Sequence, residues 1–214
     1  PTGAEEPPIH EAYARRAAAS RISSWFDAGH LFMVQEIEQR LLAALGRYGM
    51  APLPAKRILE IGCGNAHWLR EFIKWGASPD HLAGVDLLSE RIAQARRLSP
   101  PGMDLMSGNA AELEFPGDSF DIVLQATMFT SILDLSLKER IAAEMLRVLK
   151  PNGVILWYDF RFNNPRNPDV RGIKKPEIQR LFPNCRIGLE KITLAPPLAR
   201  ALAPYSWFGA SVLN

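Results

Sequence analysis

The segment Glu60-Ile-Gly62-Cys63-Gly64-Asn-Ala66 sets two glycines around a cysteine, between a short apolar run and a helical pattern. Glycine at 62 and 64 lets the backbone turn sharply and approach a ligand where a Cβ would clash. A Gly-x-Gly alone also makes an ordinary turn, so its company decides the reading. An acid, Asp86, closes the next apolar run, 24 residues beyond Gly62. A carboxylate there can accept hydrogen bonds from both ribose hydroxyls of an adenosine, and it serves equally as a strand-end acid or a helix cap. A dinucleotide fingerprint asks for Gly-x-Gly-x-x-Gly, but His67 stands where the last glycine belongs. That glycine serves close packing beside a pyrophosphate, and a cofactor without pyrophosphate removes the demand.

Candidates for acid–base chemistry are fewer. His30 follows Asp27-Ala-Gly29 at the mouth of the N-terminal helices, and Asp159 follows the fifth apolar run. Either carboxylate or imidazole can take a proton from an acceptor hydroxyl. Local pairing is the plainer role for both, with capping for His30 and Arg161 as partner for Asp159. The run from Tyr158 to Arg171 carries Arg161, Arg166 and Arg171 among asparagines and prolines. A loop there can hold an oxygen-rich substrate, or be knitted together by its own Arg–Asp pairs and Asx turns. Trp25, Phe26 and Phe129 are candidates to roof an acceptor pocket, with core packing as the alternative.

The elements that must position these residues follow from periodicity. Apolar runs at 57–61, 81–86, 103–106, 120–124 and 153–158 read as strands. Amphipathic stretches at 67–75, 90–98 and 138–149 read as helices between them. Strands alternating with helices imply an α/β fold with a mostly parallel sheet covered on both faces. Before them, helical spacing from Leu31 to Leu45 predicts a helix, with Trp25-Phe26 and Asp27-Ala-Gly29 as a turn ahead of it. After them come a loop at 161–171, a short helix at 176–181, a sixth strand at 186–194 and a helical tail holding Trp207 and Phe208. The chain is expected to be a single domain over 1–214. It comprises an N-terminal helical lid at 1–54, a cofactor-binding core at 55–160, and a substrate-side loop, strand and helical cap at 161–214.

Bulk composition excludes several classes. A net charge of +2 with no clustered Lys and Arg argues against a nucleic-acid partner. The two cysteines, Cys63 and Cys185, have neither metal-ligand nor redox spacing, so no metal is expected. No apolar run reaches the roughly 18–20 residues that span a bilayer, and no signal peptide is visible, which makes the cytoplasm the expected compartment. Monomer and homodimer both fit.

Five ordered motifs then point one way. Ile58-Leu-Glu-Ile-Gly-Cys-Gly-Asn-Ala66 resembles the first motif of class I S-adenosylmethionine (SAM)-dependent methyltransferases, in the small-molecule (type 11, ubiquinone/menaquinone-methyltransferase-like) branch. The resemblance continues through Ala83-Gly-Val-Asp86, Gly108 to Pro116, Asp118 to Leu124 and Met145 to Ile155, about half the chain. It implies a Rossmann-like fold and a SAM site. Glu60 would organise the glycine loop and the methionine ammonium, with Gly62, Cys63 and Gly64 bringing the backbone to the ligand. Asp86 would take the ribose, and Leu87 would pack on one adenine face. Asn109 and Ala110 would meet the adenine edge and opposite face, and Gln125 the methionine moiety. Ala66 replaces the third small glycine of the motif, which requires its backbone to stay helical. Asn109 replaces the commoner aspartate and also fits a plain turn residue.

The resemblance implies methyl transfer to a small-molecule acceptor, with O-methylation of a hydroxyl favoured over N or C. The methyl of SAM is already activated, so alignment and water exclusion supply much of the rate and a dedicated base is not obligatory. The alternatives are a non-catalytic SAM-fold binding protein and a nicotinamide-dependent reductase. His67 counts against the reductase.

Overall fold

A computed structural model describes residues 26–164 and 167–192. The chain divides into two compact units, one of residues 1–49 with 187–214 and the other of residues 50–186.

In the first unit, helix α1 spans Ala28–Arg47. Asp27 opens it as N-cap, its Oδ1 accepting the backbone N–H of His30 at 2.8 Å, which satisfies one of the orphan donors of the first turn. The expected turn at 27–29 is therefore a helix start, and Gly29 lies buried inside the helix. Phe32, Ile37, Leu41 and Leu45 form its buried stripe. Gly49, at φ +69°, takes the left-handed conformation just past the helix, which costs glycine nothing. Arg40 and Arg47 reach Glu190, an exposed ion-pair cluster that adds little stability.

The second unit is a five-stranded, wholly parallel sheet in the order β3-β2-β1-β4-β5. The strands are β1 (Ile58–Ile61), β2 (Leu82–Asp86), β3 (Asp104–Ser107), β4 (Phe120–Ala126) and β5 (Leu149–Tyr158). Helices α2 (His67–Lys74), α3 (Ser89–Leu98) and α4 (Leu135–Val148) supply the crossovers, and α5 spans Lys175–Leu181. Every residue of β1 and β2 is buried, as strands covered on both faces must be. That is why they read as apolar runs, interrupted only by the acids Glu60 and Asp86. β5 starts earlier than its sequence suggests: Leu149 pairs with Phe120, a bulge follows, and Val154 pairs with Ile122. Pro151 is tolerated because β5 is the edge strand.

Phe72, Phe120, Phe129 and a set of Leu and Ile side chains fill the core without exposure. Gly84 in β2 is where three layers meet. A Cβ there would come within 2.9 Å of Cys63 Sγ, Leu105 Cδ2 and Leu69 Cδ1 at once. One buried cation, Lys138 of α4, is held by Glu177 of α5 at 2.6 Å, and Arg171 shares that carboxylate.

The strand expected at 186–194 does not form among its described residues, 186–192. Its described residues from 187 to 192 fall in the same unit as α1 and not in that of the sheet. Trp207 and Phe208 lie outside the described residues. Among the described residues no helix is long and apolar enough to cross a membrane. No group of three or more His, Cys, Asp or Glu gathers there to hold a metal ion.

Candidate functional site

Strand order reverses at β1: the chain runs outward through β2 and β3, then returns to β4 on the other side. The crevice over the carboxyl ends of β1 and β4 is where open parallel sheets place ligands. The glycine loop occupies it. The backbone N–H groups of Gly62 and Cys63 both donate to Val85 O, at 2.8 and 3.0 Å. Gly64 N–H donates to Asp86 Oδ2 at 2.8 Å, and Leu88 N–H to Asp86 Oδ1 at 3.0 Å. Asp86 thus staples the loop to the start of α3 while each oxygen keeps acceptor capacity for a ligand. Gly62 and Gly64 adopt φ of +67° and +55°. Ala66, at φ +59°, is also left-handed, so the helical backbone expected of it is not found, and it caps α2 with no side-chain hydrogen bond.

A cavity of about 290 Å³ opens on this loop, lined by Glu60, the 62–65 backbone, His67 and Trp68 of α2, Arg91 and Gln94 of α3, and Ala126 of β4. Glu60 is 3% exposed. Its Oε2 has no hydrogen-bond partner among the described residues. Burial pushes its carboxyl well above the usual carboxylate range, opposed by a backbone hydrogen bond to Leu69 and reinforced by the charge of Asp86. An acceptor this buried is costly unless something satisfies it. A ligand ammonium would both donate to Oε2 and favour its charged form. The neighbouring Cys63 thiol is pushed upward by burial first and by Glu60 and Asp86 next, so it is protonated and inert.

Leu87, Asn109 and Ala110, expected to meet an adenine, follow the ends of β2 and β3. Gly108 N–H donates to Asp86 O, which holds the turn after β3 beside the end of β2. Asn109 closes an Asx turn, its Oδ1 accepting Ala111 N–H at 2.9 Å, so the turn reading of this residue is real. Asn109, Ala110 and Leu87 are all half-buried.

Gln125 is fully buried. Its Oε1 accepts Met128 N–H at 3.2 Å and its Nε2 donates to Tyr158 O at 3.4 Å, so its amide ties the turn after β4 to β5. In that turn Thr127 sits at φ +59°, a strained conformation for a β-branched residue. Met128 folds over the glycine loop, and its Sδ lies 2.8 Å from where a Gly62 Cβ would be.

Asp159 is the second anchor of this turn. Its Oδ2 accepts Thr130 N–H at 3.2 Å and its Oδ1 accepts Phe160 N–H at 3.1 Å. Burial raises its carboxyl to about 6, against the hydrogen bonds from Thr130, Phe160 and Gln125.

Other expected contacts are placed differently. Phe129 is fully buried with its ring centroid 4.5 Å from that of Trp157, which assigns it to the core rather than to the roof of an acceptor pocket. His30 and Phe26 belong to the first unit, where His30 contributes its backbone N–H to the Asp27 cap and Phe26 is fully exposed. Trp25 and Arg166 lie outside the described residues. Arg161 is exposed, its guanidinium 5.6 Å from the centroid of the Phe162 ring. The loop is knitted mainly by asparagines. Asn163 Oδ1 accepts Gly172 N–H at 2.9 Å and Asn167 Oδ1 accepts Asp169 N–H at 3.1 Å. Trp68, Arg91 and Gln94 were not singled out from sequence. The three-residue step from Arg91 to Gln94 on one helix face is the signal that would have found two of them.

Comparison with known proteins agrees with this geometry. A family model described as a methyltransferase domain matches residues 58–153. The phthiotriol/phenolphthiotriol dimycocerosates methyltransferase 1 of Mycobacterium ulcerans is 34% identical over 52% of this chain and 40% of its own length. The demethylmenaquinone methyltransferase of Lysinibacillus sphaericus is 29% identical over 50% of this chain and 45% of its own. The chain therefore spans less than half the length of these relatives. A SAM-dependent methyltransferase structure from Methanosarcina mazei superposes with a TM-score of 0.54 at 24% identity, over 67% of this chain and 83% of that one, a likeness of fold. Residues 58–153 thus resemble a methyltransferase domain, and the parallel sheet that carries them, with Glu60, the glycine loop and Asp86 at its switch point, shares its fold with a SAM-dependent methyltransferase structure.

Proposed function

We propose that the protein transfers a methyl group from SAM to a small, lipid-soluble acceptor of the hydroquinone or long-chain alcohol class, at a hydroxyl oxygen. The observation that carries the cofactor half is the unpartnered, buried Oε2 of Glu60 beside the left-handed glycine loop. The acceptor class rests on the relatives, whose names specify a demethylmenaquinone and phthiotriol lipids as their substrates.

In this reading Glu60 holds the methionine ammonium, and the backbone from Gly62 to Gly64 lies against the amino-acid portion. Asp86 takes the ribose hydroxyls on its remaining lone pairs, while Leu87, Asn109 and Ala110 frame the adenine. The cofactor supplies a methyl already activated on a sulfonium. The chain supplies alignment and exclusion of water, which account for much of the acceleration in a displacement of this kind. In the same reading Asp159, after the carboxyl end of β5 and with a carboxyl raised to about 6, is the group that would accept a proton from an acceptor hydroxyl.

The test is calorimetry with S-adenosylhomocysteine, followed by methyl transfer from labelled SAM to a panel of hydroquinones, long-chain alcohols and amines. The expected result is saturable binding that Asp86→Ala abolishes, with label entering a hydroxyl. No binding by the folded protein overturns the cofactor assignment. Label on nitrogen or carbon overturns the acceptor atom.

A further inference from the structure

Beyond β5 the chain presents a surface that neither the core nor the cavity uses. Phe160 is 44% exposed and Phe162 is 77% exposed, two residues apart where the chain bends after β5. The segment 171–173 lies directly against them: Ile173 N–H donates to Phe160 O at 2.9 Å, and a Cβ on Gly172 would fall 2.6 Å from Arg161 and Phe162 backbone atoms. The cations Arg161, Arg171, Lys174 and Lys175 flank these backbone contacts in sequence, and the Arg161 guanidinium lies over the Phe162 ring. All four are exposed, whereas the nearby carboxylates Asp159, Asp169 and Glu177 are half-buried. Every exposed charge among the described residues from 158 to 176 is thus a cation. Lys174 and Lys175 sit at the N-terminal end of α5, where the helix dipole disfavours positive charge, so local folding does not call for them.

We infer that this strip of exposed phenylalanines flanked by cations docks the protein on an anionic lipid bilayer surface. The charge pattern chooses the occupant: apolar rings enter the acyl boundary while Arg and Lys meet lipid phosphates, the combination that interfacial anchors use. The location fits as well. Tyr158, two residues before Phe160, is the register partner of Ala126, which lines the cavity. Strand spacing of about 4.8 Å and a rise of about 3.3 Å per residue put Phe160 within roughly 10 Å of Ala126. A lipid-soluble acceptor could then pass from bilayer to site without crossing water. The inference takes this purpose from the proposed acceptor class, but its chemistry comes from the surface alone.

Cosedimentation of the full chain with vesicles tests it, using phosphatidylcholine alone against an equal mixture of phosphatidylcholine and phosphatidylglycerol. Binding is expected to the mixture only, and to fall as salt is raised. Each cation near such a surface contributes roughly fivefold to partitioning, so R161Q with K174Q should weaken binding roughly 25-fold. F160S with F162S should abolish it. S-adenosylhomocysteine affinity, measured in parallel, should stay unchanged in both double variants, which also shows that they are folded. Absence of wild-type sedimentation with the mixture overturns the inference, as does equal sedimentation of the variants. Binding to a labelled oligonucleotide or to poly-glutamate in place of vesicles overturns it in favour of a macromolecular partner. Sedimentation by a chain that binds no S-adenosylhomocysteine supports the docking face and refutes the cofactor reading, so the two fail separately.

Discussion

Replacing Glu60 by Gln separates what this residue does for the fold from what it does for the ligand. In the free protein its Oε2 is buried and unpartnered, and desolvation pushes the carboxyl well above its ordinary value of 4.5. The sign follows from linkage. Below 4.5 the group is protonated in both states and costs nothing. As pH rises, the unfolded chain ionises first and stability is lost progressively until the raised folded value is passed. Glu60→Gln removes that loss, so the ligand-free variant should unfold at higher urea than the parent at neutral pH, with the gap closing toward pH 4.5. Ligand binding should move the opposite way. A charge-assisted hydrogen bond to the ammonium is worth about 1.5–3 kcal/mol, so affinity for S-adenosylhomocysteine should fall roughly 10- to 150-fold. Affinity of the parent should also climb with pH, because binding requires Glu60 to shed its proton, whereas the variant should be flat. Calorimetry across a pH series, with urea melts on the same samples, reads all three effects. An unchanged affinity, or a variant less stable than the parent at neutral pH, would refute the assignment of Glu60 as a residue whose destabilising burial serves the cofactor.

Three further substitutions probe the scaffold around that site. Gly84→Ala drives a methyl to 2.9 Å from three side chains at once and should cost about 1–3 kcal/mol in urea unfolding; a neutral result would mean that this layer is not tightly packed. Thr127→Asn places a residue tolerant of left-handed backbone at φ +59° and should raise stability by about 1 kcal/mol, measured as a higher denaturation midpoint. Asp159 has a carboxyl raised from 3.8 to about 6, so its contribution is intact below 3.8 and lost as pH rises through 6. The difference in stability between Asp159→Asn and the parent should therefore shift in favour of the variant across that window, and a pH-independent difference would contradict the burial argument.

The parts of this fold that sequence reveals are those whose burial leaves no choice. β1 and β2 are covered on both faces, so Leu82–Val85 is a continuous apolar run and Ile58–Ile61 is apolar but for Glu60, and the helices between them keep their amphipathic period. The start of α1 is harder to place because Gly29 looks like a turn residue, although Asp27 carries the N-cap signal. The segment at 186–192 alternates like a strand, but alternation describes a face and not a partner. That stretch belongs with the unit that has no sheet. Glu60, the glycines and Asp86 are legible because chain geometry next to a strand end fixes where they point. Trp68, Arg91 and Gln94 are not, since lining a cavity depends on the phase of α2 and α3 over the loop. The core role of Phe129 is hidden for a related reason: its partner Trp157 lies on the neighbouring strand, far away in sequence.

The two halves of the crevice are joined by polar bonds that no single motif displays. Met128 covers Gly62, its N–H is held by Gln125, and Gln125 reaches Tyr158. Thr130 donates to Asp159 and accepts from Arg171 N–H, and Arg171 shares Glu177 with the buried Lys138. The ligand-facing loop after β1 and the exposed strip beyond β5 are therefore ends of one connected frame, with the strained Thr127 between them. Strained backbone stands at both ends of the crevice, in Ala66 beside the glycine loop and in Thr127 after β4, each at φ +59°.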